Sequence, residues 1–576
     1  MRMLRGAVAV LLAGLVCSAC TAIPTTGQVL SETRRTTGEG QDSITVVPDP
    51  PPQGASPAMI VTGFLTAMSS LDAGYDTARL YLTTDAGSAW EPTSQMLIYS
   101  GATPRVTSDQ VTMEGALMGY LEADGSFTGS EERLWNHDFE MVQEDGEWRI
   151  SNPPQGLALS QYMFSQRFTR IDTYFFAASR TTLVPDPRYV PGSTLDLTTA
   201  AGLVLAGPSQ WLRPIVDDRI WQGITLAGDV TVSAQGLVSI PLSDQALRLS
   251  SSQATRLAVE IAATIRDLRA VNQISLTCGG AIVALDGASE DGALPLSAVE
   301  AFDSRGPGSE KTVVAAVNGL LTKMDSLNGP RLIEWEWDSM SPIDSFALRG
   351  DDQIAVVTEE GLWVGPPGGA ARLVLSATGL LKPQYDAAGN IWVVLPTPTA
   401  TVAMVKDDDV VYLDTTGLTD MVIRGFQVSP DGQRIVLVRE VDSSTETSPL
   451  EIGIGLISYE GTTPKAIVSW KPIRLIWGGT SINSIVDVAW VGPSSLLLLG
   501  SSGVAAPGVF FTDIDGLELD EWGLPRAWNP VELAVNNTSA SLQVMVLDSE
   551  GTIWSYDGGY AWRVYGEQAS AIAFPS

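Results

Sequence analysis

Four segments in the C-terminal half of the chain repeat one plan: "FALRGDDQIAVV", "QYDAAGNIWVV", "FQVSPDGQRIVLV" and "VAWVGPSSLLLL". Each has an aromatic or apolar entry, a polar turn containing Gly, Pro or Asp, and then an apolar strand. Hairpin signals recurring at a steady period are the mark of a repeat architecture. The segments begin at Phe346, Gln384, Phe426 and Val488, so successive starts lie 38, 42 and 62 residues apart. The first two gaps match one four-stranded propeller blade of about 40 to 45 residues, and the third has room for a blade with a long insertion. At that period residues 310–576 hold about six blades. The final "SAIAFPS" resembles the opening of another repeat with its turn and second strand missing. In a ring, that strand completes a blade begun by the N-terminal part of the block and closes the circle. Eleven of the sixteen tryptophans fall in this block, consistent with packing between blades.

A chain of 576 residues is too long for one hydrophobic core, so further domains are expected upstream. Residues 58–165 read as an α+β domain. Pro57 stands at a first turn with Ser56 as N-cap, and Ile60, Phe64, Met68 and Leu71 follow at helical spacing. "YDTARLYLT" suggests a second short helix offering Ala78, Leu80 and Leu82 to the core. Strand-like segments follow, with Glu144-Asp145-Gly146-Glu147 as a hairpin turn. Residues 166–199 read as a connector, because Pro185, Pro187 and Pro191 enforce an extended path. Residues 200–290 read as a second α+β domain. Two strands join near Gln235-Gly236, and a helix capped by Ser251 or Ser252 carries Leu257, Ile261, Ile265 and Leu268 on one face. "QISLTCGG" then returns as a strand.

The start of the chain is an address. Arg2 and Arg5 form a positive region, and Gly6 to Val16 is an uncharged apolar run. Eleven helical residues span about 16 Å, short of the roughly 30 Å hydrocarbon core, so residues 1–19 are an export signal and not a membrane span. Ser18 and Ala19 fit the small residues a lipoprotein signal needs directly before an acylated cysteine, so Cys20 is the expected lipidation site. Cys17, standing where leucine is usual, would leave with the signal; an ordinary secretory cleavage that leaves Cys20 as a free thiol is the alternative. A diacylglyceryl group on Cys20 supplies two hydrocarbon tails, enough for stable anchoring. Residues 20–57, rich in Thr, Ser, Gly and Pro, form a tether with an r.m.s. reach of about 30 to 35 Å.

Chemistry is scarce in the rest of the chain. The net charge is −32, which argues against a nucleic-acid partner. One histidine, His137, and one internal cysteine, Cys278, cannot make a zinc site of ordinary composition. Cys278, in "ISLTCGG", reads as a satisfied core thiol and not a nucleophile. No Gly-x-Ser-x-Gly elbow and no phosphate-cradling glycine loop occurs. Asp407-Asp408-Asp409 and Asp513-Ile514-Asp515-Gly516 resemble calcium ligands without the full loop spacing and read as solvated turns. "SYDGGYAW", Ser555 to Trp562, fits the Asp-box pattern of sialidase-like propellers, a structural motif in which serine and aspartate brace a turn. No catalytic, cofactor-binding or metal-binding residue is assigned. A carboxylate pair for glycoside cleavage cannot be chosen among 66 acidic residues, so a glycan-binding protein or a sialidase-like glycoside hydrolase is the alternative reading.

The signal ending at Cys20, "GFLTAMSSLDAGYDTARLYLT", "LVPDPRYVP", the middle domain and the C-terminal propeller together resemble the LpqB family of actinobacterial lipoproteins. The resemblance implies a multidomain fold: an NTF2-like α+β domain, a GerMN-like α+β domain and an all-β propeller. It also implies a non-enzymatic role at the outer face of the cytoplasmic membrane. Such proteins are linked to the sensor kinase MtrB, whose extracellular part would be the partner, and to its response regulator MtrA in cell-envelope homeostasis and division. The only functional residue carried over is Cys20.

Overall fold

The computed structural model describes residues 48–576 apart from 71–73, 108–109, 131–133, 193–194, 217–219, 269–270, 303–310, 326–328, 336–340, 396–400, 407–408, 419–420, 442–448, 478–479, 503–505, 524–528 and 538–541. The export signal, Cys17, Cys20 and the tether up to residue 47 lie outside the described residues. The described residues belong to one compact unit.

The first domain is mixed α/β. Its leading helix, Pro57–Ala67, starts at the proline, although the Ser56 hydroxyl makes no capping bond. Ile60, Phe64 and Met68 are all buried, as their spacing predicts. The second helix is a single turn, Asp76–Arg79. Ala78 and Leu82 enter the core, whereas Leu80, at the C-cap where the turn ends, faces solvent. These helices cover a sheet with strand order 147–150, 134–144, 110–121, 96–106, 157–160. The 144–147 hairpin is tight because Asp145 and Gly146 both take left-handed backbone angles, at φ 54° and 82°.

In the second domain, residues 168–191, expected to be a connector, form a paired ribbon. Phe168–Phe176 and Leu183–Pro191 run antiparallel over their whole length. The prolines are compatible with pairing because of where they fall. Leu183 and Tyr189 direct their N–H groups to the outer edge, where the carbonyls of Phe302 and Gly125 accept them. Pro185 and Pro187 share that parity and have no donor to satisfy. The opposite edge is closed by the Ser251–Ile265 helix: Tyr174 N–H donates to Thr264 Oγ1 and Phe176 N–H to Glu260 Oε1. That helix is capped by Ser250, one residue before the expected position, because Gln253 returns the bond to the Ser250 N–H in a capping box. It links two parallel strands, Leu237–Leu242 and Gln273–Cys278.

From residue 314 onward the described residues form six four-stranded antiparallel sheets and one short two-stranded pair. Five of the six sheets are consecutive in the chain. The exception takes its inner strand, Ala569–Ala573, from the far end and pairs it with Val314–Val317. The closing strand is the one expected from "SAIAFPS". Phe346, Gln384, Phe426 and Val488 each lie in the inner strand of a successive blade. The 62-residue interval is explained by the blade at 423–473, whose third and fourth strands, Leu450–Glu460 and Thr463–Ile473, are 11 residues each.

The inner strands are joined to one another by side chains. Asp487 Oδ2 accepts from Leu533 N–H (2.8 Å) and a Glu532 carboxylate oxygen from Ile572 N–H (2.8 Å). The Gln384 amide clamps both backbone groups of Val428, at 2.6 and 2.9 Å. Lys382, from the third blade, reaches across the axis to Glu532 of the sixth (2.5 Å) and donates to the carbonyl of Ile572 in the first. Two hairpins share a second device, Asp-x-x-Gly-x-Ile-Trp, in which the aspartate accepts from the tryptophan Nε1 at 2.9 Å: Asp386 with Trp392, and Asp548 with Trp554.

Candidate functional site

The elongated hairpin of the fourth blade and the 494 and 513–517 turns of the fifth carry the interface with the two α+β domains. Leu456 and Val468 pack into the core of the second domain, and Leu517 and Ile476 into that of the first. A bulge interrupts the pairing of 450–460 with 463–473, and Ser469 there adopts φ 57°. It turns the Ser469 carbonyl onto the Trp211 indole N–H at 2.9 Å. The adjacent backbone comes close to the first domain: a Cβ on Gly129 would stand 2.6 Å from the Pro472 carbonyl oxygen. Nothing larger than glycine fits there.

At this junction the ribbon acts as a two-sided peg. Its strands carry mirrored triplets, Arg170-x-Asp172 and Asp186-x-Arg188. Alternate residues of a strand share a face, and the register pairs Ile171 with Arg188 and Thr173 with Asp186. The two charge pairs therefore lie on opposite faces. Arg170 and Asp172, 2.9 Å apart, face the propeller. There Arg170 approaches Asp513 (3.6 Å), and Asp172 accepts from the Ser494 hydroxyl. Asp186 and Arg188, 2.8 Å apart and almost fully buried, face the other way. Asp186 accepts from the N–H and hydroxyl of Ser209, while Arg188 donates to the carbonyls of Gly207 and Asp124.

Lys471 completes the junction. Its ammonium donates to Asp515 Oδ1 (2.9 Å) and the Phe127 carbonyl (2.6 Å), between the rings of Trp211 and Phe127. Tyr189 donates to the second Asp515 oxygen at 3.4 Å. A cavity of about 440 Å³ opens among these groups, lined by Glu122, Asp124, Asp186, Trp211, Lys471 and Asp515 among others. Asp124, Asp186, Lys471 and Asp515 are matched to opposite charges or to backbone groups. Chemically, the arrangement can hold three domains in register.

Asp513 and Asp515 are thus a correction to the expectation of solvated turns. Both are buried, and each faces a cationic side chain, Asp513 that of Arg170 and Asp515 that of Lys471. Desolvation pushes the Asp513 carboxyl up to about 7, against the opposing pull of Arg170. A carboxyl whose folded value lies above its unfolded one contributes stability that is complete below about pH 4 and lost as pH rises through about 7. The protein should therefore resist urea better at pH 5 than at pH 8, by on the order of 2 to 3 kcal/mol from this group. Asp513→Asn should flatten that dependence.

The other residues singled out from the sequence have structural surroundings. His137 Nε2 lies 2.8 Å from the Asn152 carbonyl oxygen, and the ring packs edge-on against Phe139. Cys278 is buried, with Sγ 3.6 Å from both the Ser243 carbonyl and Asp244; burial first, and Asp244 second, push its thiol up. Asp409 opens a strand, while Asp407 and Asp408 lie outside the described residues. In the Asp-box segment, Trp562 donates to the Gly523 carbonyl, but Asp557 is exposed and pairs with Arg563 instead of bracing the turn. No cluster of three or more metal-ligating side chains occurs among the described residues. No helix among them is long and apolar enough to cross a membrane.

Comparisons with known proteins agree with this architecture, domain by domain. Residues 50–165 match the model of the lipoprotein LpqB N-terminal domain, 172–284 that of a sporulation and spore germination domain, and 335–575 that of the lipoprotein LpqB beta-propeller domain. Lipoprotein LpqB of Cutibacterium acnes is 28% identical over 600 residues, covering 99% of this chain and 98% of its own. That of Streptomyces coelicolor is 25% identical, covering 98% and 96%. Among solved structures, the tandem GerMN domains of GerM from Bacillus subtilis align at 19% identity and a TM-score of 0.19, over 23% of this chain and 45% of that one. The relatives are named as lipoproteins and not as enzymes. With two LpqB-specific domains flanking a germination-type domain in one order, and relatives matched nearly end to end, the chain belongs to the LpqB family of lipoproteins.

Proposed function

We propose that this protein is a non-enzymatic accessory of a sensor histidine kinase of the MtrB kind. In this reading it is held to the outer face of the cytoplasmic membrane by a diacylglyceryl group on Cys20. The observation that carries the reading is the junction: three domains are locked together by buried charges that satisfy one another. A rigid body of that kind suits docking better than turnover. The signal residues before Cys20 and the tether support the anchor, and membership of a lipoprotein family supports attachment to the membrane.

Deleting whole domains is a poor test, because each deletion would strip partners from buried charges. The full-length protein should instead be cross-linked in membranes containing the kinase, and the kinase ectodomain sought in the product. Absence of the ectodomain from every cross-linked product would overturn the proposal. The anchor is tested separately by radiolabelled palmitate. Label should be lost on Cys20→Ala, and label retained in that variant would place the lipid elsewhere.

A further inference from the structure

The propeller has a second cavity, of about 460 Å³, where the inner strands run out into their turns. Its walls include Lys311, Arg349, Lys382, Tyr385, Asp386 and Trp490. Lys382 is already paired with Glu532. Asp386 is taken up by Asn390 and Trp392.

Two cations remain. Lys311 is held by its backbone, which exchanges hydrogen bonds with the Gln543 side chain, and its ammonium donates to the Pro575 carbonyl at 2.8 Å. It has no carboxylate partner among the described residues, and burial pushes its pKa down. Arg349 stands at the rim and also lacks a carboxylate partner among them. It crosses the neighbouring 386–390 turn at Gly389, where a Cβ would collide with the guanidinium, and φ is 85°. Close by, the Tyr385 hydroxyl lines the same cavity, buried and without a hydrogen-bond partner. Ser576 lines the same cavity, where its N–H donates to the Leu348 carbonyl and its own oxygen accepts from Gly350 N–H, and it forms no ion pair with Lys311 or Arg349 among the described residues.

In a chain of net charge −32, one cavity thus gathers two uncompensated cations and an orphaned donor. We propose that this mouth of the propeller binds a small ligand through an oxyanion, a phosphate or a carboxylate, held between Lys311 and Arg349 and accepting from the Tyr385 hydroxyl. Buried donors left unpaired in the free protein are the ones a ligand can satisfy. A charged acceptor makes the stronger bond.

The test uses the full-length protein in detergent, with calorimetry as the main readout and intrinsic tryptophan emission, to which Trp490 in the cavity wall contributes, as the second. The probes are inorganic phosphate and N-acetylalanine, and the neutral control is N-acetylalanine amide. One saturable site is expected for at least one acid and none for the amide. Phosphate alone would point to a phosphate ester, and N-acetylalanine alone to a peptide or sugar acid. Lys311→Gln and Arg349→Gln should each weaken binding roughly ten- to a hundredfold. Tyr385→Phe should weaken it while leaving the melting temperature unchanged or raised, since it removes an unsatisfied polar group. The proposal fails if neither acid saturates, if the amide binds equally, or if all three variants bind as the wild type does.

Discussion

Replacing Arg188 with methionine should destabilise the protein by about 3–5 kcal/mol, the usual loss when one member of a buried ion pair is removed. Asp186 would keep its two bonds from Ser209 but lose its counter-charge in a site almost closed to water. The carbonyls of Gly207 and Asp124 would lose their donor as well. Because Arg188 ties the first domain to the second, its loss should also expose the ribbon and the Gly125 loop to protease before the propeller is cut. Urea denaturation and limited proteolysis of the full chain measure the two effects. A stability loss below about 1 kcal/mol would mean that the pair is compensated from elsewhere. Lys471→Met should cost less, since the side chain is partly exposed and Tyr189 still donates to Asp515.

The second large effect is expected at the axis of the ring. Lys382→Met removes an ammonium that faces Glu532 and Asp487, two carboxylates on neighbouring inner strands. Burial already pushes Asp487 up to about 6, with Lys382 opposing it, so without the lysine that carboxyl should take up its proton more readily. A loss of about 3 to 5 kcal/mol is expected at pH 8, shrinking toward pH 5 as the carboxyls neutralise. The triple variant Lys382→Met, Glu532→Gln, Asp487→Asn should regain most of it. The amide oxygens can still accept from Ile572 and Leu533, while the buried charge is gone. If the triple variant is no more stable than the single one, the cross-axis contact matters for its shape and not its charge.

Most of the fold could be read from local pattern, because its determinants lie within a few residues of each other. The blade turns, the helix at 57–67 and the 144–147 hairpin each rest on a short run of apolar spacing and turn residues. The junction could not be read that way. Arg170 meets Asp513 across more than three hundred positions, and Lys471 meets Phe127 across 344. Nothing near Asp513 in the chain distinguishes it from the many solvated aspartates of an acidic protein. Two signals were nonetheless present. The mirrored Arg-x-Asp and Asp-x-Arg triplets place charge at a spacing of two on strands that proline had made look like linker. The 62-residue interval broke the blade period at a blade that reaches out to the other domains.

The pairing of Ala569–Ala573 with Val314–Val317 also sets an order of events. Synthesis runs from the amino terminus, so the strand at 314–317 is made more than two hundred residues before its partner. Until then its inner edge stays unpaired, and the two α+β domains can reach their own cores while the ring is still an open fan. Closure waits for the final residues to arrive. Truncation by a handful of residues at the carboxyl end would therefore strike the earliest-made blade, leaving a sticky edge of the kind that invites strands from other molecules.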